Sequence, residues 1–118
     1  MREFASRPGR ADIEMQVELK VDDDSFVGVT GNIGVGGLFV TTDRPCRVGE
    51  RIALKLPLPN RDRPLSLAAE VRWTREQRSV SDQRSLLGMG LRFVDLPVGA
   101  FISIQELLRA RHEGMTPS

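Results

Sequence analysis

Strict alternation of apolar and polar residues recurs four times in this chain, and nothing constrains its fold more. Ile13, Met15, Val17, Leu19 and Val21 alternate with Asp12, Glu14, Gln16, Glu18 and Lys20. Ile52, Leu54, Leu56 and Leu58 repeat the pattern, as do Leu65, Leu67, Ala69, Val71 and Trp73, and finally Met89, Leu91 and Phe93. A period of two sends successive side chains to opposite faces, so each stretch predicts a strand with one wet face and one face in a core. Trp73 is thereby placed with the inward set and Arg72 on the opposite face. Two shorter apolar runs, 26–30 and 38–42, add two strands. After Asp95-Leu96-Pro97 the period changes. Phe101, Ile104, Leu107 and Leu108 fall on one side of a helix predicted over 98–112, with Arg109 and Arg111 outside them. Six short strands followed by one helix predict an all-β fold, an antiparallel β-barrel or sandwich with the helix over an open end.

The connections are polar. Residues 1–10 carry three arginines with Pro8 and Gly9, and read as a flexible basic arm before a domain of 11–112. Asp22-Asp23-Asp24-Ser25 reads as a solvated turn. A calcium loop of the EF-hand type needs spaced ligands between helices, and these carboxylates are adjacent between strands. Residues 74–87 are polar without sustained periodicity and predict a long hairpin loop. Residues 113–118 form a tail expected to fray.

At 118 residues the chain is one domain with room for a core. A formal net charge of +1 predicts no global attraction to nucleic acid or to an anionic membrane, so any electrostatic function is local. Few aromatics and balanced charge argue against a small barrel that binds oligonucleotides. One cysteine, Cys46, forms no internal disulfide, and no apolar run approaches the roughly 20 residues of a membrane span. No signal-peptide core stands at the N-terminus. These features predict a cytoplasmic protein. They leave the oligomeric state open.

Catalytic and metal chemistry finds few candidates. The single histidine, His112, lies at the end of the predicted helix, and without a second histidine or a cysteine pair no zinc site is expected. Cys46 stands near Arg44 and Arg47, which could activate a thiol, but no base accompanies it. No Ser-centred elbow, Walker loop or paired carboxylates are present. The chain reads as a binding module, not an enzyme, with no cofactor.

The remaining feature is Thr30-Gly31-Asn32-Ile33-Gly34-Val35-Gly36-Gly37-Leu38-Phe39-Val40. Two apolar runs joined by a glycine-rich segment predict a hairpin with a bulge, and glycine there lets another backbone or a ligand approach closely. A dinucleotide fingerprint is excluded, because that motif opens a helix and this one opens a strand. The order of basic arm, alternating strand, N-x-G-x-x-G turn, barrel strands and closing helix resembles the PilZ domain family. Val48-Gly49-Glu50, Glu70-Val71-Arg72-Trp73 and Gly88-Met89-Gly90-Leu91-Arg92-Phe93 are similar to blocks of a single-domain subgroup abundant in myxobacteria. The resemblance covers about residues 7–110. It implies a six-stranded antiparallel β-barrel with a C-terminal helix, and a receptor for the second messenger cyclic di-GMP that signals through a partner protein.

Two family motifs carry over in part. Of the R-x-x-x-R stretch, Arg10 takes the second arginine, while Ser6 stands four residues earlier and Arg7 one position late. Of the [D/N]-x-S-x-x-G turn, Asn32 and Gly37 match and Gly34 replaces the serine. The resemblance therefore implies a ligand site of Arg7, Arg10, Asn32, Gly34 and Gly37. Losing one charged contact costs about 1.5–3 kcal/mol and one neutral hydrogen bond about 0.5–1.5 kcal/mol. Together these amount to roughly 30- to 2,000-fold in affinity. A degenerate adaptor that binds a protein partner without nucleotide is the alternative.

Overall fold

The alternating stretches become strands whose apolar side chains point inward. The computed structural model describes residues 10–44, 46–78 and 85–114. The expected arm up to residue 9, with Arg7 in it, the loop tip 79–84 and the tail from 115 lie outside the described residues, as does the side chain of His112.

Strands β1 (Arg10–Ala11), β2 (Gln16–Val21), β3 (Asp24–Gly34), β4 (Gly37–Thr42), β5 (Arg51–Leu56), β6 (Leu65–Arg78) and β7 (Ser85–Val94) precede one helix, α1 (Val98–Gly114). The ladder runs β3-β2-β5-β6-β7-β4, and β4 pairs back onto β3, so six antiparallel strands close into a barrel. Closure leaves the barrel no long open sheet edge, the hazard that open sheets must cover. β1 adds a short rung at the far end of β3, with Arg10 opposite Gly34 and Ala11 opposite Ile33.

The core is the inward set: Val17 and Leu19 of β2, Ile33 of β3, Leu38 and Val40 of β4, Ile52, Leu54 and Leu56 of β5, Leu67, Ala69 and Val71 of β6, and Met89, Leu91 and Phe93 of β7. Each large aliphatic side chain so placed contributes about 1.5–3 kcal/mol. From α1, Ala100, Ile104, Leu107 and Leu108 join the same core. Asn60 Nδ2 donates to the Ser103 carbonyl at 3.2 Å and Arg61 to Ser103 Oγ at 2.9 Å, which ties the helix to the β5–β6 connection.

Five local expectations are corrected. Phe101, expected in the apolar stripe of the helix, is 37% exposed, because Ala100 and Ser103 occupy the inner face beside Ile104. The first alternating stretch is strand only from Gln16 onward. Residues 12–15 leave the ladder between the pairs Ala11–Ile33 and Gln16–Val29, where four residues face the three of β3 that also bulge against β4. The fully buried Thr30 replaces the missing rungs: its Oγ1 accepts from Met15 N–H at 3.0 Å and donates to the Ile13 carbonyl at 2.6 Å. The alternation through Leu58 also outlasts its strand, since β5 ends at Leu56 and Pro57 has no N–H to continue the ladder. Residues 74–78 and 85–87, expected in a loop, are strand, and pair with each other from Thr74 opposite Met89 to Arg78 opposite Ser85. Last, Trp73 does not point inward. The β6–β7 register shifts between Val71 and Trp73, and that one-residue bulge turns both Arg72 and Trp73 outward.

Candidate ligand-binding groove

The two bulges lie on the same side of the barrel, where β3, β4, β7 and β6 are consecutive neighbours. In β3 the bulge at Gly31 sends Gly31 and Asn32 outward between the buried Thr30 and Ile33. In β6 the second bulge does the same for Arg72 and Trp73. Between them β4 presents Gly37 and Phe39, and β7 presents Gly90 and Arg92. These residues, with Arg10, Asp12, Gly36, Leu38, Arg75 and Leu91, line a groove of about 760 Å³. That volume falls within the range of small-molecule sites.

The floor is glycine because aromatic rings lie on it. Phe39 and Trp73 are both cross-strand partners of Gly90, one from each side. Their rings meet over that strand, with centroids 5.4 Å apart and planes 24° apart. A Cβ on Gly90 would stand 2.1 Å from Trp73 Nε1, and one on Gly88 2.5 Å from Phe39 Cζ. The guanidinium of Arg75 lies 5.3 Å from the Phe39 centroid and 5.8 Å from that of Trp73, within cation–π range of both. Trp73 remains 46% exposed. Such a pair offers a planar group a face to stack on.

The structure brings together two of the expected site residues directly. Arg10 donates from Nε to Asn32 Oδ1 at 3.1 Å and from a terminal nitrogen to the same oxygen. Gly37 lines the groove, and the close approach of β7 excludes any side chain there, since a Cβ would lie 2.0 Å from the Leu91 carbonyl oxygen. Gly34 is different. It is buried opposite Arg10 in the β1–β3 ladder and is not part of the groove lining. Arg7 is outside the described residues.

Phe39, Arg72, Trp73, Arg75 and Arg92 were not expected at the site from the sequence. Their one signal was Gly88-Met89-Gly90, two glycines on the same face of a strand, a spacing that leaves room for large side chains from both neighbours.

Elsewhere the chemistry is quiet. Burial pushes the Cys46 thiol above its ordinary range, Glu50 adds to this, and Arg44 opposes it only weakly. Arg44 is instead engaged by Asp24 at 2.6 Å, so the activation considered for Cys46 does not arise. Among the described residues no three His, Cys, Asp or Glu side chains gather as a metal site, and no helix is long and apolar enough to cross a membrane.

A family model described as the PilZ domain matches residues 2–110. The chain belongs to the PilZ domain family. Among solved structures, the PilZ domain of YcgR from Escherichia coli, with c-di-GMP, is similar at TM-score 0.71 and 14% identity, covering 95% of this chain and 99% of that one. MotI, an inhibitor of motility from Bacillus subtilis, matches at TM-score 0.70 and 21% identity, covering 90% of this chain and 51% of its own. The MrkH–c-di-GMP complex of K. pneumonia matches at TM-score 0.70 and 11% identity, covering 93% and 54%. At these identities the likeness is one of fold, and this PilZ chain spans about half the length of MotI and of MrkH. No curated protein matches it.

Proposed function

We propose that this PilZ domain is a cyclic di-GMP receptor that passes the level of the second messenger to a protein partner, acting as a binding and adaptor domain. The groove carries the reading. It places the Arg10–Asn32 pair at one side and an aromatic stack at the other, across a glycine floor. Cyclic di-GMP presents two phosphates and two guanines. A guanidinium fork grips phosphate or the guanine O6/N7 edge bidentately, and an indole face takes a base. YcgR and MrkH, which share the fold, are solved with c-di-GMP.

The remaining site residues fit the same reading. Arg7 is expected to join Arg10 in clamping the ligand, while Gly37 keeps the floor low. Gly34 shapes the strand that carries Arg10 rather than touching nucleotide. Calorimetry on the full chain tests this, with an expected Kd of about 1 μM or weaker. Arg10→Ala abolishes the heat and Arg7→Ala reduces affinity strongly, both with unchanged circular dichroism. Absence of heat at protein concentrations of about 100 μM, well above that Kd, selects the second reading, an adaptor without nucleotide. Ser6 and Gly34, where the family motifs have arginine and serine, favour that alternative.

A further inference from the structure

The four guanidiniums around the groove are not equivalent. Arg10 is committed to Asn32 through two donors to one oxygen. Arg75 rests on the Phe39 and Trp73 rings. Arg72 is held only loosely, 3.8 Å from Glu70, with about half of its side chain exposed. Among the described residues Arg92 makes no ion pair and no side-chain hydrogen bond, although it stands directly opposite both Gly37 and Glu70 in the ladder. Against these cations the groove lining has one carboxylate, Asp12.

We propose that Arg72 and Arg92, fixed on the barrel wall, supply the phosphate grip of the groove, so that anion binding does not depend on the N-terminal arginines alone. The inference rests on the cyclic di-GMP reading above and names which residues hold the charged part of that ligand. Three features support it. Both side chains spring from paired strands, so little backbone entropy is lost when they engage. The β6 bulge has the specific effect of adding an outward guanidinium beside the aromatic stack; a regular strand would carry only one of Arg72 and Trp73 on that face. Phosphate and base would then be met by adjacent residues of one strand. Finally, Glu70 is partly buried, lies across the ladder from Arg92 and meets Arg72 only at 3.8 Å. A phosphate entering the groove displaces a weak ion pair rather than a strong one.

The test is calorimetry of the full chain with cyclic di-GMP. Arg72→Ala and Arg92→Ala each weaken binding about 10- to 100-fold, the range for a charge-assisted hydrogen bond, while melting temperature stays unchanged because both side chains are exposed. Arg92→Lys falls between alanine and wild type, keeping charge and losing the fork. Glu70→Gln removes the competing carboxylate and tightens binding about two- to fivefold, in the range of a partly screened ion pair. A gain of this kind cannot come from misfolding. Wild-type binding with Arg72→Ala and Arg92→Ala both within twofold overturns the inference and leaves the receptor reading standing. A wild-type chain that binds no cyclic di-GMP overturns both.

Discussion

Gly36 and Gly37 are neighbours with opposite tolerance for a side chain. A Cβ on Gly36 meets nothing within 4 Å, whereas one on Gly37 would penetrate the Leu91 carbonyl at 2.0 Å. Backbone cannot swing aside as a flexible side chain can, so Gly37→Ala must push β4 away from β7. The expected loss is about 1–3 kcal/mol, the usual cost of overpacking. Gly36 has no positive φ, so Gly36→Ala is neutral or gains up to about 1 kcal/mol by restricting the unfolded chain. Urea denaturation of the two variants checks this, and equal midpoints would show that β4 and β7 are not packed this closely. Gly90 is a third case, because there the obstructing group is the Trp73 ring. As the single tryptophan of the chain, Trp73 reports its own displacement through fluorescence.

At the scale of elements, the helix separates what periodicity reveals from what it hides. Leu108 is buried against the barrel, so Leu108→Asp places an unpaired charge in an apolar contact and costs about 3 kcal/mol or more. Phe101→Ser removes a side chain that is already 37% exposed and costs less, about 1–2 kcal/mol, judged by thermal melts of both variants. The sequence alone had ranked Phe101 with Leu108, because a stripe read at 3.6-residue spacing does not say where its edge falls. The strands follow the same logic. Alternation marks burial, so the barrel staves with one face in the core were legible from Val17 to Phe93. The far part of the β6–β7 ribbon was not, since the sequence from 74 to 87 shows no sustained alternation although Thr74 to Arg78 pair with Met89 to Ser85. Bulges are silent for a different reason. Inserting Arg72 leaves the apolar pattern apparently intact through Trp73, and only the register of the partner strand shows that the phase has slipped. Arg10, Asn32 and Gly37 were found through motif resemblance. Arg72, Trp73 and Arg92 became visible only once β6 and β7 were aligned.

For the molecule as a whole, charge is balanced in total and uneven in place. The chain carries a formal +1, yet four arginines line one groove against one aspartate. That same aspartate belongs to the segment between β1 and β2, and its carbonyl accepts from Arg111 of α1 at 3.3 Å. The groove rim and the helix thus meet at this short segment. The concentration of guanidiniums also sets the salt response. The groove is open to solvent, so its field is screened as the Debye length shrinks from about 10 Å at 0.1 M salt to about 3 Å at 1 M. Cyclic di-GMP affinity should fall by about tenfold over that range. Stacking on Trp73 is not screened in this way, and the two contributions can therefore be separated by variant. Trp73→Ala should lower affinity while keeping the wild-type slope of log affinity against log salt. Arg92→Ala should lower affinity and flatten the slope. Parallel slopes for the two variants would show that the wall arginines are spectators, and that the attraction of the groove for an anion comes from the N-terminal side alone.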